Sequence, residues 1–190
     1  MKLMQRDESI IDFIKNIGVV ETNVISELFF NGSLRSCQKR LTLLYECGYI
    51  KRTRKDIYSS YIYYLGKQKK QMDHNLYLSH LYLQLIKRDY EILKYKGATK
   101  LNNVICDGIF IIRKDGAIKI LLVEIEKQFK PITLQKYCKL YSNKDTFKDL
   151  GFPIEPKVLL LSNKQNISTK DLNYELITSK LDLSSRELNI

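Results

Sequence analysis

Apolar residues recur with helical spacing in two short segments at the start of the chain. Residues 9–17 place five Ile and Phe side chains on one helical face, and Gly18 follows as a stop signal. Thr22 is a suitable cap for a second helix, and the turn pair Asn31-Gly32 marks its end. The pattern therefore predicts two short helices before residue 33.

A third helix is predicted from Ser33, which can cap it. Its apolar residues fall on one stripe, and a basic, polar face lies on the other side near the N-terminal half. The stripe consists of Leu34, Cys37, Leu41 and Leu44. Such a helix can present side chains to base edges and phosphates.

After Gly48 the spacing of apolar residues changes from 3.6 to about two. Residues 49–54 are strongly basic, Lys55-Asp56 forms a tip, and residues 58–65 are rich in Tyr and Ile. This pattern predicts a basic β-hairpin.

Helical spacing returns over residues 67–89, which we interpret as a linker or dimerisation helix. His74 and His80 are six residues apart and lie on opposed faces of such a helix. They are therefore expected to be core or interface residues and not metal ligands.

The last hundred residues follow the order strand, turn, strand, helix, strand, helix. Nearly continuous apolar runs over 104–112 and 118–126 predict two central, buried strands. A turn at Lys114-Asp115-Gly116 joins them. The remaining elements are predicted at 133–141 (helix), 157–161 (strand) and 168–180 (helix).

Three carboxylates interrupt these two strands: Asp107, Glu124 and Glu126. Alternation places Glu124 and Glu126 on one face. Buried carboxylates are costly unless they are paired or bind a metal, so the three together indicate a site for a hard cation such as Mg²⁺ or Mn²⁺. A degenerate scaffold that binds no metal, or ordinary acids at strand edges, would carry the same residues.

The formal net charge of +11 is concentrated in one part of the chain. Residues 33–70 contain ten Lys and Arg and two acids, a net +8. A local positive field is what a polyanion-binding surface needs, although a charge run can also be a solvated face.

Length and composition limit the number of domains and the class of protein that the chain can form. The 190 residues can form one medium domain or two small ones. The four cysteines are far apart, which argues against a zinc finger and for free thiols in a reducing cytosol. The chain contains no apolar run of membrane-spanning length, and its start lacks the apolar core of a signal peptide, so we expect a cytoplasmic protein with no membrane partner.

The chain contains the motif Arg40-Leu41-x-x-Leu44-Tyr45-Glu46-x-Gly48-Tyr49-Ile50. This motif resembles the junction between recognition helix and wing in the winged helix-turn-helix superfamily. The resemblance covers about residues 7–66. It implies that the third helix enters the major groove of double-stranded DNA and that the hairpin, or wing, touches phosphates or the minor groove. The residues so implicated are Arg35, Ser36, Gln38, Lys39 and Arg40 on the helix and Lys51, Arg52, Arg54 and Lys55 on the wing. A winged helix used for protein contacts is the alternative.

The second half resembles the PD-(D/E)XK nuclease-like fold. In active members two acids bind magnesium and a Lys two residues after the second acid activates water. Asp107 and Glu124 match the acids, but Glu126 stands where the Lys is expected. Lys127, or Lys136 on the following helix, would have to supply the cation.

The whole chain also looks like the replication-relaxation family of plasmid and mobile-element proteins. The features that carry this resemblance are the N-terminal segment, His74 and His80, Asp107 and the run Glu124-Ile125-Glu126-Lys127.

These observations predict an α/β (α+β) chain. We expect a winged helix-turn-helix at 1–66, a helical connector at 67–95, and a PD-(D/E)XK-like mixed sheet flanked by helices at 96–190. The preferred function is non-catalytic, sequence-directed binding of double-stranded DNA in regulation, replication or transfer of a plasmid or other mobile element.

Partners expected with this function are a second copy of the chain and proteins of a replication, transfer or transposition complex. The enzymatic alternative is a metal-dependent endonuclease with Asp107, Glu124 and Glu126 as ligands of Mg²⁺ or Mn²⁺ and Lys127 or Lys136 as the cation. The DNA-binding function requires no cofactor. A third interpretation makes the C-terminal domain a protein-docking platform.

Overall fold

The structure is a computed structural model that describes residues 2–67, 72–128, 130–142, 145–164, 167, 169 and 172–181. The chain divides into two compact units, Met1–Leu83 and Gln84–Ile190. Helices and a five-stranded mixed sheet are both present, which agrees with the α/β class. Lys69 and Lys70 of the basic segment lie outside the described residues.

The first unit opens with three helices, and two antiparallel strands follow the third. Gly18 ends the first helix with φ +98°, and Asn31 ends the second in the left-handed region with φ +51°. The elements are α1 (Gln5–Ile17), β1 (Val19–Glu21), α2 (Thr22–Phe30), α3 (Leu34–Glu46), β2 (Lys51–Thr53) and β3 (Ile62–Tyr64).

A three-stranded sheet closes the first unit. Strand β3 pairs antiparallel with both β1 and β2, so that buried Tyr63 lies opposite Val20 and Arg52. The stripe on α3 is buried at Cys37, Leu41 and Leu44, as predicted. Leu34 is the exception, because at the first position of the helix it is 43% exposed and does not reach the core.

Helix α4 (Met72–Lys87) begins in the first unit and contains the boundary between the units. Tyr82 packs edge-on against Phe13 of α1, with ring centroids 4.9 Å apart. His80 is half-buried, and its Nε2 lies 3.1 Å from Oε2 of Glu21. The side chain of His80 thus contacts the side chain of Glu21 within the first unit.

The second unit is built on a five-stranded mixed sheet. The strands of the unit are β4 (Glu91–Lys96), β5 (Thr99–Leu101), β6 (Val104–Cys106), β7 (Gly108–Lys114), β8 (Ala117–Glu126), β9 (Lys157–Ser162) and β10 (Leu176–Ser179), with helices α5 (Pro131–Tyr141) and α6 (Thr146–Asp149). The strand order in the five-stranded sheet is β10-β9-β8-β7-β4. Strands β4, β7 and β8 pair antiparallel, whereas β8, β9 and β10 are parallel.

Strand β8 is the central strand of this sheet, as its apolar run predicts. Six consecutive residues, 120–125, are buried. The turn from β7 to β8 contains Asp115 and Gly116, both with positive φ, as a two-residue hairpin requires. Helix α5 covers one face through Tyr137 and Leu140, which pack in one core with Leu122 of β8.

Two expectations for this unit are corrected. The predicted helix over 168–180 is wrong at Leu176–Ser179, which form β10 beside β9, because pairing with a parallel neighbour outweighs local helical spacing. Ser168, where that helix was to begin, lies outside the described residues. The helical connector expected up to residue 95 ends at Lys87, and Glu91–Lys96 form an edge strand of the sheet.

In the part of the chain that the structure describes, no helix has the length and apolar character needed to cross a lipid bilayer.

Candidate functional site

The outer face of α3 presents four of the five predicted helix residues to solvent. Arg35, Ser36, Gln38 and Lys39 are exposed, while Cys37 between them is fully buried. The buried stripe fixes the rotation of the helix, so the polar face has a defined orientation. This face can therefore meet a partner without rearrangement of the helix.

Arg40, the fifth helix residue, is engaged inside the unit. Its Nε donates to Oδ1 of Asp7 at 2.8 Å, and its Nη2 contacts Oδ2 of the same carboxylate. Asp7 is fully buried, and its Oδ2 also accepts the backbone N–H of Met4. The hydrogen bond from Arg40 is the main reason that the pKa of Asp7 is lowered. Arg40 thus ties α3 to α1.

Arg52 on β2 holds the β2–β3 hairpin against α3. Its guanidinium lies 4.2 Å from the ring centroid of Tyr45 on α3 and 4.3 Å from that of Tyr61, just before β3. Its Nη1 also donates to Thr42 Oγ1 at 3.4 Å. Contacts of this kind with two aromatic faces are favourable for a planar cation. Arg52 therefore connects the β2–β3 hairpin with α3.

The other three predicted DNA-binding cations of the hairpin are exposed: Lys51, Arg54 and Lys55. Arg54 lies 5.1 Å from the ring of Tyr61, and its Nη1 donates to the carbonyl of Ile57 at 3.3 Å. Together with Arg35 and Lys39 on α3, these side chains give two neighbouring elements an exposed positive charge.

In the second unit, Asp107 lies between β6 and β7, at a point where the chain passes from one sheet to another. Its Oδ2 accepts the backbone N–H of Ile125 at 2.8 Å, and its own N–H donates to the carbonyl of Val123. Asp107 thus pairs with the segment of β8 that carries Glu124.

Glu124 is buried and has two protein donors. Its Oε1 lies 2.7 Å from Nζ of Lys136, and its Oε2 accepts the hydroxyl of Tyr137 at 2.8 Å. Lys136 also donates to the carbonyl of Ile105. Burial raises the pKa of Glu124, Lys136 opposes the increase, and the nearby charge of Asp107 adds to it.

Glu126 is on the same face of β8 as Glu124, as alternation predicts, and also reaches α5. Its Oε1 accepts the hydroxyl of Thr133 at 2.7 Å. Lys127 follows directly after the strand and is exposed. Lys136 is therefore the predicted candidate cation that the structure brings onto Glu124.

The donor set does not fit a three-carboxylate metal site in this arrangement. Both oxygens of Glu124 are engaged by Lys136 and Tyr137, and Glu126 is directed to Thr133. Within the described ranges, no group of three or more His, Cys, Asp and Glu side chains is arranged to hold a metal ion. Glu124 and Glu126 lie on β8, and Asp107 lies between β6 and β7, so the three acids come from two segments of the chain.

An open groove of about 560 Å³ runs beside Lys136. Its walls are α5, the start of α6, and the turn between β5 and β6 with the first residue of β6. Its polar side chains are amides, amines and one hydroxyl: Asn102, Asn103, Gln135, Lys136, Lys139 and Thr146. None of the described residues that line the groove is acidic.

Sequence reasoning missed the partners that hold these residues. Asp7 and Tyr61 in the first unit and Thr133 in the second gave no signal as functional residues. The available indications were Tyr45, which stands in the motif Arg40-Leu41-x-x-Leu44-Tyr45, and Tyr137, which directly follows Lys136.

Neither the family models, nor the curated proteins, nor the solved structures with which the chain was compared gave a match.

Proposed function

We propose that the chain binds double-stranded DNA in a sequence-directed manner and that its first unit is a winged helix-turn-helix module. One observation carries this proposal: Arg52 links α3 to the β2–β3 hairpin through Tyr45 and Tyr61, while the cations on both elements stay exposed. In this proposal α3 contacts base edges and the β2–β3 hairpin contacts phosphates, and Arg52 keeps the two elements in a fixed relative position.

The biological setting belongs to the same proposal. The resemblance to replication-relaxation proteins supports a role in regulation, replication or transfer of a mobile element. The mixed sheet of the second unit, with α5 across Glu124 and Glu126, is compatible with the proposed PD-(D/E)XK-like scaffold. A second copy of the chain and proteins of a replication or transfer complex are the partners that we propose.

The proposal predicts that helix and wing substitutions have different effects on DNA binding. Replacing Arg35 and Lys39 by Ala should loosen sequence preference, because each base contact contributes about 1–3 kcal/mol of discrimination. Replacing Lys51 and Arg54 by Ala should weaken binding to all sequences alike and reduce the slope of log affinity against log salt by about 1 per residue. Competition gel-shift assays over a salt series measure both effects.

Lys15→Ala is the matched control, since Lys15 is an exposed lysine on α1 in the same unit. It should leave preference and salt slope close to wild type. Helix variants that keep wild-type discrimination would show that α3 is not the recognition helix.

A metal-dependent endonuclease is the second candidate function. The observation in its favour is that Lys136 contacts Glu124 in the neighbourhood of Asp107, so a cation and two acids of the nuclease-like pattern are close together. A metal ion would have to displace Lys136 or Tyr137 from Glu124 before this carboxylate could become a ligand. We therefore rank the endonuclease second.

We expect no cleavage of supercoiled or branched DNA that depends on Asp107. The test incubates wild type and Asp107→Asn with Mg²⁺ or Mn²⁺ and analyses the products on a gel. Asp107→Asn keeps the shape of the side chain and should bind DNA as wild type does. Cleavage that is present in wild type and lost in Asp107→Asn would promote the endonuclease above the DNA-binding function.

A further inference from the structure

The loop between β2 and β3 exposes two apolar side chains at its tip. Ile57 is 67% exposed and Tyr58 is 92% exposed. The other large hydrophobic residues that are exposed in the described part of the first unit are at most 45% exposed. Ile57 and Tyr58 are neighbours in the sequence, and in solvent they lack the stabilisation that burial of apolar surface gives. We therefore interpret this exposed pair as a contact surface.

The loop that carries the pair is ordered by its own side chains. Oδ1 of Asp56 accepts the backbone N–H groups of Tyr58 and Ser59 at 2.9 and 2.8 Å, and its Oδ2 accepts the hydroxyl of Ser59 at 2.7 Å. These bonds, led by that from the Ser59 hydroxyl, lower the pKa of Asp56. Arg54 holds the carbonyl of Ile57. The pair is thus presented on a preformed loop, which reduces the entropy lost on binding.

The surroundings of the pair are cationic. Lys51, Arg54 and Lys55 are exposed on the same hairpin, and the one acid at the tip, Asp56, is occupied by the loop. A partner must therefore combine dense negative charge with flat apolar surfaces that a small wedge can enter. Duplex DNA has both, since phosphates line its grooves and stacked bases lie between them.

We propose that Ile57 and Tyr58 insert as an apolar wedge at a base step in the minor groove, partly unstacking the step and bending the duplex. This inference rests on the proposed DNA-binding function. Side chains that enter a base step in this way kink DNA by roughly 20–90° toward the major groove. Flexible pyrimidine–purine steps such as TpA are the preferred sites, because they unstack at the lowest cost.

An anionic membrane is the competing partner for a basic loop with an apolar tip. Two side chains bury less apolar surface than one myristoyl chain, which by itself gives only marginal membrane binding. The Asp56 carboxylate at the tip would also approach the anionic headgroups. DNA is therefore the partner that the loop fits better.

The test uses the full chain and short A·T-rich duplexes that carry 2-aminopurine at a central TpA step and a dye at each end. The variant Ile57→Ser/Tyr58→Ser removes the wedge, Tyr58→Phe keeps the ring, and Ile154→Ser is a control for loss of an exposed apolar residue in the second unit. Fluorescence of 2-aminopurine reports unstacking, and energy transfer between the dyes reports bending. Vesicles containing phosphatidylserine form a separate arm.

We expect wild type, Tyr58→Phe and Ile154→Ser to raise the fluorescence and bend the duplex. The double variant should lose both signals and bind roughly tenfold more weakly, as expected for the loss of one stacking contact. A double variant that binds, unstacks and bends like wild type overturns the wedge and leaves the DNA-binding function intact. Failure of wild type to bind any duplex overturns both proposals. Vesicle binding that disappears in the double variant, with DNA bending unchanged, assigns the loop to a membrane.

Discussion

Replacing Lys136 by Met is expected to lower the free energy of unfolding of the second unit by about 2–4 kcal/mol. The substitution removes the cation from buried Glu124 and leaves a carboxylate that is 8% exposed with Tyr137 as its remaining donor. Removal of one partner from a buried ion pair commonly costs about 3–5 kcal/mol, and the lower figure here reflects the 31% exposure of the Lys136 side chain. Urea unfolding read from hydrogen exchange of β8 amides measures this unit separately.

The loss of unfolding free energy in Lys136→Met should decrease as the pH falls. Burial already raises the pKa of Glu124, and loss of Lys136 raises it further, so the carboxyl becomes neutral at a higher pH. The destabilisation of Lys136→Met is therefore largest near neutral pH and shrinks as the pH falls through this raised pKa. Glu124→Gln/Lys136→Met is the matched control, because it removes both charges and should recover much of the loss. Equal losses in the single and double variants at every pH would contradict the ion pair.

Replacing Asp7 by Ala is expected to lower the thermal unfolding midpoint of the first unit by roughly 5–10 °C. The substitution removes both contacts with Arg40 and the acceptor for the N–H of Met4 at the start of α1. Because α1 and α3 lose their ion pair, the orientation of the basic face of α3 should suffer with the stability. Thermal melts followed by circular dichroism measure the shift.

The difference in thermal stability between wild type and Asp7→Ala should also disappear at acidic pH. The pKa of this carboxyl is held below its ordinary value of 3.8, so its ionised form stabilises the fold above that pH. The contribution is lost as the pH falls through the lowered pKa, and wild type and Asp7→Ala should then converge. Asp12→Ala is the control, since Asp12 is an exposed acid on the same helix. A similar decrease in both variants would mean that a general charge effect, and not the Arg40 pair, is responsible.

Arg40 and Arg52 show how the roles of charged residues depend on their neighbours. Both belong to the basic segment of residues 33–70, Arg40 on the helix α3 and Arg52 on the strand β2, and both match the resemblance to a DNA-reading module. In the structure one is paired with Asp7 and the other lies between two tyrosine rings. The exposed cations Arg35, Lys39 and Lys51 are therefore the better tests of the proposed DNA contact.

Local signals in the sequence determined most of the elements. Gly18 and Asn31 end helices because the chain there takes positive φ, and Asp115-Gly116 forms the hairpin turn for the same reason. The apolar run of β8 predicted a central strand, and alternation placed Glu124 and Glu126 on one face. These features depend on residues within a few positions of one another, so they can be predicted from a single sequence.

The tertiary structure alone decided which side chains meet and how the end of the sheet is built. Arg40 binds Asp7, which is 33 residues away in the sequence, and Lys136 contacts Glu124 because α5 packs over β8. Residues 176–179 became a strand because β9 offered an edge to pair with. Ion pairs and strand pairing are contacts between distant segments, and their free energy depends on burial and on the neighbour that packing supplies, which periodicity along the chain does not encode.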